Sequence, residues 1–196
     1  MSEMSDLQER LDLSEAKNRL NNLVAITVAI ISVFMAITKV KDDNIVQAML
    51  QAKSDAVDTW NEYQSKKLKH HMAELGLSQA QAMQLLVRGE GSAALSLQQK
   101  GYQETIALYQ VEEEALRKKA KEFEKQYDDL NFRDDQFDLS DATLSIALAM
   151  LAITALTGKR KLLALAWLFA AFGLLMGVAG LMGLPLHPTA LVKLLS

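Results

Sequence analysis

Three stretches of the chain hold no Asp, Glu, Lys or Arg: residues 20–38, 142–158 and 162–192. The first would rise about 28 Å as a helix at ~1.5 Å per residue, close to the ~30 Å hydrocarbon thickness of a bilayer. It therefore predicts a transmembrane helix over 20–38. A cleavable signal peptide fits worse. The apolar run is longer than the usual signal core, follows nineteen mostly polar residues, and leads into Lys39-Val40-Lys41-Asp42-Asp43 where small cleavage-site residues would stand. A second transmembrane helix is expected over 142–158, short enough to put Leu139 to Asp141 at the interface. A third is expected over 162–184, stopped where Pro185 and Pro188 lack backbone donors.

Between the first two spans the pattern changes from continuous to periodic. Ile106, Tyr109, Glu113, Leu116, Ala120, Phe123, Tyr127 and Leu130 recur at spacings of three and four, a heptad seam in which Glu113 is the misfit. Ile45, Met49, Ala52, Ala56, Trp60 and Tyr63 follow a similar spacing with smaller residues. No glycine or proline occurs before Gly76, or between Tyr102 and Thr157, so the strongest helix breakers are missing from both arms. Residues 39–141 thus predict a long extramembrane helical hairpin. Gly76 is expected to end the outgoing arm, Ser78 with Gln81 to cap a short helix to about Arg88, Gly89-Glu90-Gly91 to turn, and Gly101 to kink the return. The segment plan is a polar segment 1–19, a helix 20–38, the hairpin 39–141, a helix 142–158, a basic loop 159–161, a helix 162–184 and a tail 185–196. The fold class is all-α, an integral membrane protein with three transmembrane helices.

Composition sharpens this picture. The chain has 196 residues and a net charge of −3, and its 45 charged side chains all lie outside the three runs. The remainder is about 35% charged, against roughly 25% in ordinary globular domains. Near-neutral net charge argues against nucleic-acid binding. The absence of cysteine removes disulfides, thiolate metal sites and thiol nucleophiles. Arg10, Lys17 and Arg19 before the first span, with Lys159, Arg160 and Lys161 in the basic loop, outweigh Lys39, Lys41, Arg133 and Lys193 on the other side. By the positive-inside rule the N-terminus is cytoplasmic and 39–141 lies outside, which is the periplasm if the membrane is the inner membrane of a Gram-negative bacterium.

Candidate packing and chemistry lie at the membrane boundaries. Ala166, Ala170, Gly173, Gly177 and Gly180 share one face of the third span and include a GxxxG pair, which lets helices approach closely. Shorter rows are Ala25, Ala29, Ser32 and Ala36 in the first span and Ser145, Ala149 and Ala152 in the second. Asp134, Asp138 and Asp141 share a face just before the second span, level with Asp42 and Asp43 after the first. In a symmetric oligomer, Asp42, Asp43, Asp138 and Asp141 would form a cation-attracting ring. The competing explanation needs one helix only: carboxylates near a helix N-terminus are favoured by the macrodipole and can cap free amides. No ionisable group lies inside a span, which argues against a proton-coupled pump, and a pore would be hydroxyl-lined or hydrophobic.

His70, His71 and Glu74 can face one another one turn apart, but they lack a third strong ligand and stand among Lys66, Lys67 and Lys69. They read as a solvated helix face, and no metal or cofactor is expected. Trp60 and Tyr63 read as packing residues. There is no GxSxG elbow, and Gly89 and Gly91 lack the lysine and hydroxyl of a phosphate loop, so no catalytic residue and no enzyme is expected.

Four segments carry a family resemblance: Asn18-Arg19-Leu20-Asn21-Asn22-Leu23-Val24-Ala25, residues 39–49 beginning Lys39-Val40-Lys41-Asp42-Asp43, Trp60-Asn61-Glu62-Tyr63-Gln64, and Phe137-Asp138-Leu139-Ser140-Asp141-Ala142. Together they resemble bacterial membrane proteins of the domain of unknown function family 4337. The resemblance implies a small helical membrane protein and carries no activity. The expectation is a homo-oligomeric membrane protein whose hairpin serves assembly or partner binding. The alternative is a cation-permeable channel with an acidic mouth.

Overall fold

A computed structural model describes residues 2–186. The tail beyond Leu186, with His187, Pro188 and Lys193, and the side chain of Arg10 lie outside the described residues. Among the described residues there are three α-helices and no strand: α1, Ser2–Gln84; α2, Glu90–Thr157; and α3, Arg160–Met182. Each contains a segment long and apolar enough to cross a membrane. The polar residues before position 20 are helical and continue into the first apolar run without a break.

The chain divides into two compact units. One takes the residues up to Gln47 and those from Leu130 onward; the other is Ala48–Asp129. In the first unit Leu20, Val24 and Ile31 of α1 meet Leu144, Ala147 and Leu151 of α2 and Leu163, Ala166 and Ala170 of α3. Spacings of three, four and seven put each set on one helical face. The turn from α2 to α3 is short. Gly158 takes the left-handed φ of +68° that a side chain would strain, and its N–H donates to Thr154 O at 2.8 Å. Lys159 then precedes the first residue of α3, so the basic loop is a turn plus the start of a helix. At the other end α3 stops earlier than the prolines require. Gly183 adopts φ +66°, and both its amide and that of Leu184 donate to Ala179 O.

In the second unit α1 and α2 form a hairpin whose turn lies between Gln84 and Glu90. Gly76 does not end the outgoing arm, and no separate capped helix begins at Ser78; α1 runs through both. The glycine serves close contact instead, since a Cβ there would stand 2.6 Å from Tyr102 Cζ on the returning arm. Gly101 leaves α2 unbroken. Gly89, at φ +73°, makes the turn, and Gln84 ties it across by donating to Ser92 Oγ at 2.7 Å. The inward face of α1 in this unit carries Met49, Ala52, Ala56, Thr59, His70, Ala73 and Ala80, all buried. On α2 the seam from Ile106 to Tyr127 is buried or half-buried throughout, Ala120 completely.

Candidate functional site

The small-residue face of α3 is the tightest packing in the first unit. Ala166, Ala170, Gly173, Gly177 and Gly180 are all buried. A Cβ on Gly173 would lie 2.7 Å from Leu144 Cγ and Thr143 Oγ1. On Gly177 it would lie 2.6 Å from Phe34 Cε1 and 2.7 Å from Ser140 Oγ, and on Gly180 2.9 Å from Phe137 Cζ. The stripe therefore receives α2 and Phe34 of α1 from the same chain. The approach is close enough for the buried Ser140 hydroxyl to donate to Gly173 O at 2.8 Å. The two shorter small-residue rows do not pack this way: Ala25, Ala29, Ser32 and Ala36, and likewise Ser145, Ala149 and Ala152, are exposed. A close pair needs small residues on one helix only. The facing surfaces of α1 and α2 supply the bulk, as Phe34, Phe137 and Leu144 do here.

The C-terminal end of α3 is held by two side chains that the acid-rich pattern before the second span concealed. Arg133 donates to Gly180 O from Nη2 at 3.0 Å and from Nε at 3.3 Å. Gln136, fully buried, donates from Nε2 to Leu184 O at 2.7 Å and Leu186 O at 2.6 Å. Arg133 satisfies a carbonyl of the last turn that a helix end leaves without an intrahelical partner, where its charge also suits the negative end of the helix dipole, and Gln136 holds two carbonyls just past that end. Gln136→Ala is expected to cost about 1–3 kcal/mol, the usual penalty for leaving buried polar groups unpaired. Amide exchange at Gly183 and Leu184 should speed up at least about tenfold, one decade per ~1.4 kcal/mol. Unchanged protection would show that the glutamine does not anchor this end.

At the acidic boundary the four carboxylates singled out from the sequence are not equivalent. Asp42 is buried, while Asp43, Asp138 and Asp141 are exposed. Lys39 binds the first two, its Nζ lying 2.8 Å from Asp42 Oδ2 and 3.4 Å from Asp43 Oδ1. The hydrogen bond to Asp42 leads the effects that push the lysine pKa up, so it stays charged. Asp134 and Asp138 of α2 face Asp42. Burial, then the hydrogen bond with Asp42, then the charge of Asp138 push the Asp134 carboxyl up to about 7. Partial desolvation by neighbouring groups, then the Asp42 charge, push the solvent-accessible Asp138 upward as well. The hydroxyls expected to line a pore are turned onto their own helices. Thr27, Thr38, Thr143, Thr154 and Thr157 each donate to the carbonyl four residues back, at 2.7–3.1 Å.

In the hairpin the structure corrects the reading of His70 as part of a solvated face. His70 is buried, and its Nδ1 lies 2.7 Å from Glu113 Oε1 on the other arm. The misfit in the α2 seam is thus the partner of a misfit in the α1 seam. His71 is exposed and pairs with Glu74 at 2.9 Å, a contact that lowers the Glu74 pKa. Among the described residues no three His, Cys, Asp or Glu side chains are arranged to hold a metal ion. Trp60 stacks edge-on against Tyr63 at 5.4 Å and donates to Glu124 Oε1 at 2.8 Å. Lys66 reaches Glu112 at 2.6 Å.

The outward side of α1 in the same unit is apolar too. Leu50, Val57, Leu68, Met72, Leu75 and Met83 are each at least half exposed. At 3.6 residues per turn they fall within an arc of about 80°, opposite the inward face. The side chains between them, Ser54, Asn61, Ser65 and Gln79, carry no charge. This arm therefore buries mainly alanines and exposes its larger apolar side chains.

These features define an all-helical protein with three apolar helices and a polar helical hairpin. A family model described as domain of unknown function (DUF4337) matches residues 20–183, and the chain belongs to that family. No curated protein and no solved structure matches it.

Proposed function

We propose that this is a homo-oligomeric integral membrane protein, without catalytic activity of its own, whose helical hairpin is the surface through which copies assemble or a partner is held. The observation that carries the reading is the uncovered stripe from Leu50 to Met83. Large apolar side chains on a charged, polar hairpin are solvated at a cost, and burying each completely is worth about 1.5–3 kcal/mol. A second copy is the occupant favoured by the stripe's lack of charge, since two identical stripes then meet without like-charge repulsion. The three apolar helices support insertion in a bilayer. The basic residues before the first span and before the third support an orientation with residues 39–141 outside the cytoplasm, and membership of the family is compatible with a bacterial inner membrane. The cation-channel alternative draws less support: Lys39 already neutralises one carboxylate of the acidic boundary, and the threonine hydroxyls are satisfied within their own helices.

Because the chain has no cysteine, one experiment tests both assembly and sidedness. Leu68→Cys in intact cells is expected to react with a membrane-impermeant thiol reagent, and on mild oxidation to give a disulfide-linked dimer. Lys69→Cys, about a quarter-turn away, should be labelled but give little dimer. Equal crosslinking of the two, or none from Leu68→Cys, would remove the stripe as an interface. Failure to label either would reverse the orientation.

A further inference from the structure

Asp42 presents a contradiction that its neighbours resolve. Its side chain is nine-tenths buried, and Oδ2 accepts from Lys39 at 2.8 Å. Oδ1 is buried with no hydrogen-bond partner. An orphaned carboxylate oxygen in a buried position costs several kcal/mol unless a donor reaches it. The neighbour on α2 within hydrogen-bonding reach of the Asp42 side chain is another carboxyl, that of Asp134. Two ionised carboxylates are acceptors only, and between them no hydrogen bond exists; a protonated one has an O–H to give.

We infer that Asp42 and Asp134 form a proton-binding site, with one proton held on Asp134 and donated to Asp42 Oδ1. The proposal stands apart from self-association, since both residues belong to one chain. The groups facing the pair are few. On α1 they are Lys39, which compensates the Asp42 charge, and Asp43. On α2 they are Asp135, Asp138 and Asp141, while Arg133 is turned to Gly180 O. The part of α3 at this level brings none, as residues 162–186 contain no titratable side chain. With the proton in place, Lys39, Asp42 and Asp134 sum to zero charge. Without it, a second carboxylate faces Asp42 in a half-buried space. A single acid group bridged to a lysine-paired carboxylate takes a proton in preference to a metal ion, because the ammonium already occupies one side of Asp42.

The raised pKa of Asp134 fits this arrangement and fixes the sign of its effect. The folded protein holds the proton up to about pH 7, whereas the free side chain releases it near the ordinary value of 3.8. The stabilisation is therefore complete below the ordinary value and is lost as pH rises through about 7. The site would join α1 to α2 when protonated and loosen that junction when it empties.

The test uses the full chain purified in lipid nanodiscs. Infrared difference spectra taken while titrating from about pH 4 to pH 9 should show a carboxylic C=O band disappearing with a midpoint near neutrality, well above the ordinary aspartate range. Asp134→Asn, whose amide can donate to Asp42 Oδ1 at every pH, should abolish that band. It should also keep the alkaline melting temperature at the acid-side level. Asp42→Asn should move the midpoint down toward the ordinary aspartate range, by about tenfold in proton affinity, with burial keeping the remainder of the shift. Asp43→Asn should leave it in place. A midpoint in the ordinary range in the unmodified chain, survival of the band in Asp134→Asn, or indifference to Asp42→Asn would each overturn the site. Should Asp134→Asn fail to fold, the unmodified chain and Asp42→Asn still decide.

Discussion

Gly177→Leu is expected to force α3 off the first unit and to produce the largest loss of stability of any single substitution in the small-residue stripe. The first added carbon already meets Phe34 Cε1 at 2.6 Å and Ser140 Oγ at 2.7 Å, nearer than real Cβ atoms come to their neighbours. Three further carbons must then find room between helices that are in contact. Overpacking of this kind costs about 1–3 kcal/mol, and this case belongs at the upper end. The Ser140 hydroxyl would also be pushed from Gly173 O, losing roughly another 1 kcal/mol. Gly177→Ala should fall between the two, because a half-buried phenylalanine ring can swing a few tenths of an ångström. Leu168→Ala, on the exposed side of α3, serves as the comparison and should change little. Thermal melts of the purified protein in detergent rank the four chains. A Gly177→Leu protein that melts with the unmodified one would show that close approach of α3 is not what holds the bundle.

The second large effect belongs to the hairpin. His70→Leu leaves the Glu113 carboxylate, itself mostly buried, without the imidazole 2.7 Å away, and Glu113→Leu does the reverse. Removing one member of a buried polar pair costs more than the pair contributes, because the remaining group keeps its desolvation penalty. About 2–3 kcal/mol is expected for either single substitution. The double variant, with leucine at both positions, should return to within about 1 kcal/mol of the original, since two apolar side chains leave nothing unpaired. Hydrogen exchange of the hairpin amides in the full chain reads these differences locally. Additive losses in the double variant would show that the two residues do not act as a pair.

The contrast between these two predictions shows what was legible in the sequence. The three apolar helices could be read because absence of charge over about twenty residues is a one-dimensional property that needs no partner. The α3 stripe was legible for a related reason: five small residues in register can form only a flat face. The α2 seam, too, was visible in its spacing. What the pattern concealed in each case was the other half of a contact. Glu113 looked like a flaw in a seam and His70 like one more polar residue among lysines; each is explained only by the other, 43 residues away. Gly76 was misread because glycine signals a helix end through backbone freedom, whereas here it makes room for the Tyr102 ring while the helix continues. The rows at Ala25 and Ser145 stay exposed in the single chain, since small residues permit close packing but do not say which helix arrives. At the acidic boundary the sequence showed which carboxylates gather, and burial alone separated Asp42 from the rest.

Arg133 and Gln136 lie 47 to 50 residues ahead of the carbonyls they hold. A ribosome therefore completes both side chains long before Gly180, Leu184 and Leu186 exist. Until α3 is in place, a guanidinium and an amide wait on the second helix without these acceptors. The third helix is thus the keystone of the first unit.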